Sequence, residues 1–473
     1  MKILEIADNN VKIFGWTILK IKFKRGKTKF YALGLPIFTI KNKFDAIREE
    51  FSAEKSFDDI KYDTKINDIV AEYKNMKTCR PNPKRLAFLA TKVYDVGGHT
   101  KWLRDMQRTL APHYDETLFL TTYKTSVKAA PQTLDYLKKI SKIQMFHQFS
   151  CSFEKNIREI YDSIVDYAPK ALFVFIHPDD IIGTAVIALI KQHTKIKIFF
   201  VNHATHRPAL ALSFADLVLE ETPSSVYVTQ NLRKVKQTHI VGLISKAEEE
   251  NPHFTREEIA AARKNFGVPQ GAICTMSGAA SYKFFDKDGS RYFEMIEKML
   301  KEHPNVYHIV FSEFQDKEKE ILHQMFDNSP VKDRLLLREY QQNYELAFKC
   351  ADLFIDSFPM SSALAFIDLM RLKVPYVVKI NTVNSALSFH EFQAKEFPYM
   401  YETVEQMYAG ICDLLKNDKK RLAMVEKNYS HYMEKYEIKA AEKILQRVVN
   451  CDNFAELYDN PDKNAKYSLC FDD

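Results

Sequence analysis

Glycine is scarce in this chain, which has 12 glycines among 473 residues, whereas a typical soluble protein contains about 7%. Two of the 12 are adjacent, Gly97 and Gly98, in the stretch VYDVGGHTKW. Glycine lets a backbone approach a ligand closely and leaves its N–H groups available at the start of a helix. The pair therefore predicts either a loop that faces a phosphate or sugar, or a simple tight turn.

The sequence also lacks the features of a spanning or secreted protein. No unbroken apolar run reaches the roughly 18–20 residues that a membrane helix needs. The opening MKILEIADNN has no apolar core followed by a small-residue cleavage site, so we predict no secretory signal. The seven cysteines are scattered without a CxxC pair, which favours reduced thiols in the cytoplasm over disulfides or a zinc site.

Acidic residues are missing from one long segment. Residues 11–43 hold nine Lys or Arg and neither Asp nor Glu. Such a segment predicts peripheral contact with an anionic membrane surface at its cytoplasmic face. The alternative is a solvated β-hairpin, turned at Gly26, whose lysines protect its edge from aggregation. The net charge of +6 and the lack of any nucleic-acid-binding motif argue against a nucleic-acid partner.

From residue 85 onward, continuous apolar runs alternate with helix-like segments, which is typical of a parallel sheet covered on both faces. The alternation pauses at 243–270 and then restarts, so we predict an α/β chain with two doubly wound, Rossmann-like domains. Ligands of such sheets bind at the carboxyl ends of the strands, and a cleft between the domains is the expected site. The predicted divisions are a basic β-hairpin and helical extension (1–80), a first domain (85–242), a second domain (255–416), a helix that packs back on the first domain (417–448) and a tail (449–473).

The second domain carries the most informative stretch, ADLFIDSFPMSSALAFIDLMRLKVPYVVK at 351–379. Ser361 and Ser362 open a helix whose first amides are suited to phosphate oxygens. Asp368 lies on an otherwise apolar helix and needs a polar partner, for which ribose hydroxyls are suited. Lys283 follows the first strand of the domain and is placed to reach a diphosphate, although it is also readable as an ordinary surface lysine.

This stretch resembles the nucleotide-sugar site of GT-B glycosyltransferases. The pattern they share is a strand, the motif D-x-F-P, a helix that begins with small residues, an acid on that helix, and a strand that begins with hydrophobic-x-P. The form with aspartate is similar to that of bacterial relatives of the protein O-GlcNAc transferases and to surface-polysaccharide glycosyltransferases. The resemblance covers about 85–448 and implies the GT-B fold, with the two domains facing across the cleft and a C-terminal helix crossing back.

The resemblance also implies roles for individual residues. It places Asp368 at the nucleotide ribose, Lys283 at the diphosphate and Tyr340, with Arg338 and Glu339, near the base. Gly97 and Gly98 match the glycine loop that faces the diphosphate from the first domain.

The chain departs from the family pattern at two points. Met360 stands where the large retaining group has its first acid, so that group's stereochemistry does not carry over. Ala363-Leu364-Ala365 replaces the His-Thr-Thr helix start of the O-GlcNAc transferases.

Transfer to an acceptor hydroxyl requires a base, and three histidines of the first domain are candidates. His99 follows the glycine pair, His177 ends the strand in FIHPDD, and His203 ends the next strand in VNHATHRP. Histidines at strand ends are also common as hydrogen-bonded structural residues, and the sequence does not choose among the three. It shows no convincing set of metal ligands, so we expect no metal and no cofactor.

The sequence thus predicts a hexosyl- or N-acetylhexosaminyltransferase that uses a nucleotide sugar as co-substrate, with a UDP-sugar as the expected donor. The expected acceptor is a glycan, a lipid-linked glycan or a protein. Two alternatives stay open. One is a nucleotide-sugar 2-epimerase with the same fold, and the other is a sugar- or nucleotide-binding protein without catalytic activity.

Overall fold

The computed structural model describes residues 4–459, except for 8–9, 14–15, 24–26, 33–34, 42, 96–97, 124–129, 146–152, 246–249, 287–288, 342, 363–364, 382–389 and 395, with side chains from residue 43 onward. The chain divides into two compact units. The first comprises Met1–Glu221, Val226–Ile240 and Leu445–Asn460, and the second is formed chiefly by Val241–Ile444.

The chain begins with an antiparallel meander of five strands in the order β1-β2-β3-β4-β5. Their bounds are Leu4–Ala7, Asn10–Ile13, Trp16–Phe23, Lys27–Ala32 and Leu35–Lys41. The predicted hairpin is present, because β3 and β4 pair antiparallel on either side of 24–26 and bring Lys22 opposite Lys29.

Two helices follow, α1 (Lys43–Ser52) and α2 (Ile60–Ala71). Their apolar side chains recur at helical spacing and pack into the main core of the first unit. Phe44 and Phe51 of α1 and Ile66 of α2 are buried there. Both helices are therefore structural parts of this unit.

The first unit is built on a seven-stranded parallel sheet in the order β12-β11-β10-β9-β6-β7-β8. Its elements are β6 (Asn82–Ala90), α3 (Gly98–Leu110), β7 (Glu116–Thr121), α4 (Pro131–Ile140), β8 (Lys142–Met145), α5 (Phe153–Tyr167), β9 (Pro169–Phe175), α6 (Ile181–His193), β10 (Lys197–Val201), β11 (Leu217–Glu220), α7 (Pro223–Tyr227) and β12 (Thr238–Ile240). The chain winds outward in opposite directions from the adjacent strands β6 and β9, so the topological switch point lies between them.

The second unit repeats this plan with six parallel strands in the order β15-β14-β13-β16-β17-β18. Its elements are α8 (Arg256–Phe266), β13 (Ile273–Gly278), α9 (Arg291–Glu302), β14 (Val306–Phe311), α10 (Asp316–Phe326), β15 (Leu335–Arg338), α11 (Tyr344–Lys349), β16 (Leu353–Ile355), α12 (Ala365–Arg371), β17 (Tyr376–Lys379), β18 (Met400–Tyr401), α13 (Val404–Leu415) and α14 (Asp418–Lys435). The last helix, α15 (Ile438–Asn450), begins in the second unit, and its residues from Leu445 onward belong to the first. Here the switch point lies between β13 and β16.

The prediction of two doubly wound α/β domains is confirmed. The pause in the alternation at 243–270 contains the start of α8, where Thr255 and Glu258 form a capping box. The short edge strand β18 was not predicted, because two residues leave no readable periodicity.

Two further findings concern the cysteines and the lack of long apolar runs. Five cysteines within the described residues, Cys79, Cys274, Cys350, Cys412 and Cys451, are free thiols, as predicted. In the part of the chain that the structure describes, no helix combines the length and the hydropathy needed to cross a bilayer.

Candidate functional site

Two loops meet at the switch point of the second sheet. One leaves β13 and continues into the helical turn Ser281–Phe284, which carries Lys283. The other leaves β16 and runs through Asp356 to Ser362. The Lys283 ammonium donates a hydrogen bond to the main-chain carbonyl of Ser361 at 2.7 Å. Two predicted donor-binding residues that are 78 positions apart thus lie side by side at the carboxyl edge of the sheet.

Asp356 holds the second loop in shape. Its carboxylate accepts the Ser361 hydroxyl at 2.9 Å and the Ser362 backbone N–H at 2.9 Å. Complete burial raises the pKa of Asp356 to about 7, although these donors and the nearby Lys283 partly oppose that rise. Ser361 is buried with its hydroxyl turned toward Asp356, whereas Ser362 is half-buried, 3.1 Å from the Ser357 hydroxyl. Asp356 therefore sets the loop's shape, and the phosphate contact predicted for the two serines stays a prediction.

Asp368 on α12 has a protein partner. The Arg371 guanidinium, one turn along the helix, donates from Nη2 to Asp368 Oδ1 at 3.0 Å. The same guanidinium reaches Glu345 Oε1 at 2.6 Å and Asn251 Oδ1 at 2.8 Å. Arg371 and Asp368 are both buried, so each compensates the other's desolvation. The buried acid thus has a structural partner, and its predicted contact with ribose stays a prediction.

A chain of buried side chains lies behind the loop that leaves β13. His308 on β14 is 2.8 Å from the Thr275 hydroxyl through Nδ1 and 2.9 Å from the Tyr292 hydroxyl through Nε2. Tyr292 in turn contacts the Ser277 hydroxyl, which donates to the carbonyl of Ile355 at 2.6 Å. Burial lowers the pKa of His308 to about 3. This neutral chain joins the ends of β13, β14 and β16 and makes the switch point rigid.

The residues predicted near the nucleotide base lie at the end of β15 and directly after it. Tyr340 is 42% exposed, and burial of part of its ring raises the pKa of its hydroxyl. Arg338 donates from Nη2 to the carbonyl of Phe266 at 2.6 Å, at the end of α8. Arg338 therefore acts as a structural link between β15 and α8, while Tyr340 stays accessible to a ligand.

In the first unit, the three candidate histidines come together. His99 on α3, His177 after β9 and His203 after β10 form a cluster with ring centroids 4.7 Å apart for His99–His203, 5.8 Å for His99–His177 and 6.4 Å for His177–His203. The cluster lies at the carboxyl edge of the sheet because β6, β9 and β10 are adjacent strands. All three side chains are partly exposed. We call them the histidine cluster.

The surroundings of His99 and His203 favour the neutral form of both rings. Burial and the neighbouring His177 lower the pKa of His99 to about 4. Burial and repulsion from His99 also lower the pKa of His203. A neutral imidazole keeps one nitrogen able to accept a proton, which is the first requirement of a general base.

Polar side chains that were not predicted from the sequence hold the backbone around the histidine cluster. Asp180 is the last residue of the FIHPDD stretch, and no role was predicted for it from the sequence. It caps α6 by accepting a hydrogen bond from the Gly183 N–H at 2.9 Å, and it also accepts hydrogen bonds from the hydroxyls of Thr91 and Thr122. Thr91 accepts the backbone N–H of His177 at 2.8 Å. The sequence signal was present, since an aspartate directly before an apolar helix predicts an N-cap.

Helix α2 supports the loop that follows β10. Its Asp63 accepts the Ala211 N–H at 2.7 Å and the Ser213 hydroxyl at 2.6 Å. Asp59, which precedes the helix, pairs at 2.7 Å with Arg233, and Arg233 also donates to the carbonyl of Arg207 at 2.6 Å. This loop contains His203, so its position depends on acids that lie about 140 residues earlier in the sequence.

The glycine pair is described only in part. Gly98 is exposed and is the first residue of α3, as the predicted helix start requires. Gly97 lies outside the described residues, so its predicted role at the diphosphate stays a prediction.

Comparison with known proteins identifies the fold. No protein-family model matches the chain, and no curated protein matches it in sequence. Among solved structures, a glycosyltransferase from Rickettsia africae matches with a TM-score of 0.61 and 9% identity over 77% of this chain and 98% of its own. The Anabaena protein HepE in complex with UDP-glucose matches at 0.60 with 12% identity over 77% and 99%. The UDP-GlcNAc 2-epimerase from Neisseria meningitidis bound to UDP-GlcNAc matches at 0.52 with 12% identity over 78% and 100%. The chain has the GT-B fold, as the resemblance in its sequence implied.

Proposed function

We propose that this chain is a glycosyltransferase that binds a UDP-sugar in its second unit and transfers the sugar to a glycan, lipid-linked glycan or protein acceptor without a metal ion. The observation that carries the proposal is the meeting of Lys283 with the Asp356–Ser362 loop at the switch point of the second sheet. Ligands of doubly wound sheets bind at this position. HepE and the Neisseria epimerase, which share the fold, were solved with UDP-glucose and UDP-GlcNAc bound.

In this proposal, Lys283 stabilises the leaving diphosphate. The bond between the sugar's anomeric carbon and the diphosphate oxygen breaks, and negative charge develops on that oxygen. A lysine ammonium that is already oriented by the Ser361 carbonyl lowers the energy of that charge without reorganising. Ser362 is half-buried in the same loop, and its hydroxyl, 3.1 Å from that of Ser357, is a further candidate donor to the diphosphate.

For the first unit, we propose that the histidine cluster supplies the base. The acceptor hydroxyl attacks the anomeric carbon and passes its proton to a neutral imidazole, and UDP leaves. The lowered pKa values of His99 and His203 keep these rings unprotonated at neutral pH. Substituting His99, His177 and His203 one at a time by Gln and measuring kcat separates the base, whose loss costs about 10²–10⁴-fold, from its neighbours.

Donor binding is tested by calorimetric titration of UDP, GDP and CDP into the full chain and into Lys283→Gln. Loss of a charge-assisted hydrogen bond weakens binding by about 10- to 100-fold. Lys319→Gln, an exposed lysine on α10, is the matched control and retains wild-type affinity. Lys283 is a cleaner target than Asp368, because replacing Asp368 also disturbs the buried Arg371. If none of the nucleotides binds, or if both variants bind alike, the proposed donor site is wrong.

A nucleotide-sugar 2-epimerase is the second candidate, because the Neisseria enzyme shares the fold. Incubation of the protein with UDP-GlcNAc alone separates the two activities. An epimerase converts the donor to its 2-epimer with no acceptor present, whereas a transferase leaves the sugar configuration unchanged. Nucleotide binding with neither activity, over a panel of acceptors, indicates a binding protein without catalysis.

We further propose that the basic segment 11–43 attaches the protein to an anionic membrane surface. The β3–β4 register places Lys22 opposite Lys29 and Lys20 opposite Tyr31. Because alternate residues of a strand share one face, these three lysines belong to one face of the meander. Each basic residue near an anionic bilayer contributes about 1 kcal/mol.

The membrane proposal is tested with vesicles of phosphatidylserine and phosphatidylcholine. The triple variant Lys20→Gln, Lys22→Gln, Lys29→Gln is expected to bind about 100-fold more weakly than the full chain. The control replaces Lys317, Lys319 and Lys332, which are exposed on the second unit. A deletion of 1–50 is unsuitable, since Phe44 and Ile47 belong to the core. Equal binding by the two triple variants contradicts the proposal.

A further inference from the structure

The structure brings together three metal-ligating side chains outside the candidate sites described above. Glu302 is the last residue of α9, His303 is its C-cap, and Cys412 lies on α13. One ligand atom from each lies within 4.8 Å of the other two. His303 Nε2 and Cys412 Sγ are 3.3 Å apart. A tetrahedral zinc site requires about 3.6 Å between a nitrogen at ~2.05 Å and a sulfur at ~2.3 Å from the ion.

We propose that Glu302, His303 and Cys412 form a structural site for Zn²⁺ that joins α9 to α13. The combination of an imidazole, a thiolate and a carboxylate suits zinc and does not suit Mg²⁺ or Ca²⁺, which prefer oxygen ligands alone. Water completes the tetrahedron. Binding converts the Cys412 thiol to a zinc-bound thiolate and releases its proton to solvent.

The backbone around Glu302 and His303 is held in place before any metal binds. Arg334 donates to the carbonyl of His303 at 3.0 Å and to that of Leu300 at 2.6 Å, which locks the last turn of α9. Glu302 is exposed, so its carboxylate can swing to the ion at little cost. Little rearrangement is therefore needed to close the site.

The charges near the site are balanced. The Glu302 carboxylate and a Cys412 thiolate together neutralise a divalent ion. Lys298 and Lys416 lie near Cys412, and the Lys298 ammonium also lies 4.3 Å from the centroid of the Tyr408 ring. The Tyr408 hydroxyl lies beside Glu302 and Cys412, where it can donate to a bound carboxylate as outer-sphere partners commonly do.

The position of the site argues for a structural role. Helix α9 follows β13 and leads back to β14, so its C-terminus lies at the edge of the sheet opposite Lys283. A metal at this point is remote from the candidate donor site and is expected to change stability. The spacing of 109 residues between His303 and Cys412 explains why no short sequence motif shows the site.

The test titrates Co²⁺, a spectroscopic substitute for Zn²⁺, into the chelator-treated full chain. We expect a near-ultraviolet sulfur-to-cobalt charge-transfer absorption that saturates at one ion per chain and disappears when Zn²⁺ is added. Cys412→Ser and His303→Gln are expected to lose the absorption, while Glu302→Gln keeps it with at least 10-fold weaker affinity. Cys451→Ser, a half-buried cysteine outside the site, is the control and retains it.

Two measurements on the unaltered protein keep the proposal testable if a variant fails to fold. Zn²⁺ at a hundredfold excess over its Kd is expected to raise the Tm by about 5 °C or more. It is also expected to slow alkylation of Cys412, mapped by mass spectrometry, relative to Cys451. Absence of the cobalt–thiolate absorption, or its survival in Cys412→Ser, overturns the proposal, as does unchanged alkylation of Cys412.

Discussion

At the scale of single residues, the few glycines include one that no other residue can replace without rearrangement. Gly410 lies inside α13, where a Cβ atom would overlap the hydroxyl and ring of Tyr401. Glycine in a helix interior costs about 1 kcal/mol relative to alanine. Glycine is therefore found at position 410, despite its low helix propensity, because the ring of Tyr401 on the adjacent strand β18 occupies the space that a Cβ atom would need.

Substituting Gly410→Ala is expected to destabilise the second unit by about 1–3 kcal/mol, since the steric cost exceeds the gain in helix propensity. Urea unfolding followed by far-ultraviolet circular dichroism measures the change. In a Tyr401→Ala background, the same substitution is expected to become neutral or stabilising. An equal cost in both backgrounds would show that the Tyr401 ring is not the cause.

The histidine cluster gives a second effect at this scale, on stability in acid. The pKa of His99 is lowered to about 4 by burial and by His177, whereas an unfolded histidine titrates near 6.5. The unfolded state therefore binds more protons between these values, and stability is lost as the pH falls from about 6.5 toward 4.

Between pH 7.5 and pH 5, the wild-type chain is expected to lose about 1–2 kcal/mol more stability than His99→Gln. Both tryptophans, Trp16 and Trp102, belong to the first unit, so tryptophan fluorescence reports its unfolding in urea. Taking the difference between the two proteins cancels the opposite contribution of buried acids such as Asp59 and Asp63, whose pKa values burial raises to about 6 and 7. Parallel pH profiles for the two proteins contradict the lowered pKa.

At the scale of secondary-structure elements, α2 shows how helices outside the sheet position a candidate functional loop. Its neighbour Asp59 pairs with Arg233 in the protein interior, where both side chains are almost fully buried. A buried ion pair gains little net free energy, but an uncompensated partner costs several kcal/mol.

Arg233→Met is expected to destabilise the first unit by about 3–5 kcal/mol, measured by tryptophan fluorescence in urea. The double variant Arg233→Met, Asp59→Leu is expected to recover part of that loss, because it leaves no buried charge unpaired. The exposed pair Lys43–Glu72, with side chains 67% and 69% exposed, is the control and is worth at most about 1 kcal/mol. Similar costs for the two pairs would contradict the importance of burial.

The elements also show which features could be predicted from the sequence and why other features could not. The strands were predictable because buried parallel strands are continuous apolar runs, and Lys283 and Ser361 were predicted together because each follows a strand. The Asp368–Arg371 pair escaped, although its i, i+3 spacing on a helix was a readable signal. The meeting of the histidines depended on the order of β6, β9 and β10, which periodicity alone does not fix.

At the scale of the whole molecule, the first unit is completed by the far end of the chain. Residues Leu445–Asn460 belong to it. Lys197 donates to the carbonyl of Cys451 at 2.7 Å, Phe454 packs edge-on against Phe199 with ring centroids 5.6 Å apart, and the N–H of Asp459 donates to the carbonyl of Thr238 at 2.9 Å.

Leu457, 4% exposed in this returning segment, tests its contribution. Leu457→Ala is expected to destabilise the first unit by about 2–5 kcal/mol, the usual cost of a cavity in a core. Lys139→Ala, at an exposed position on α4 of the same unit, is the control and is expected to change stability by less than about 0.5 kcal/mol. Tryptophan fluorescence in urea compares the two, and equal midpoints would mean that the returning segment does not stabilise the first unit.

The returning segment has a consequence for synthesis on the ribosome. After Ile240 is made, about 200 further residues precede Leu445, and at roughly 5–20 residues per second their translation takes on the order of 10–40 s. Throughout that interval the nascent first unit lacks the contacts that cover Phe199 and pair with Thr238 near its edge strand β12. An uncovered apolar side chain and an open strand edge both favour association with other chains. The nascent protein is therefore expected to be a chaperone client until residues 445–459 have been made.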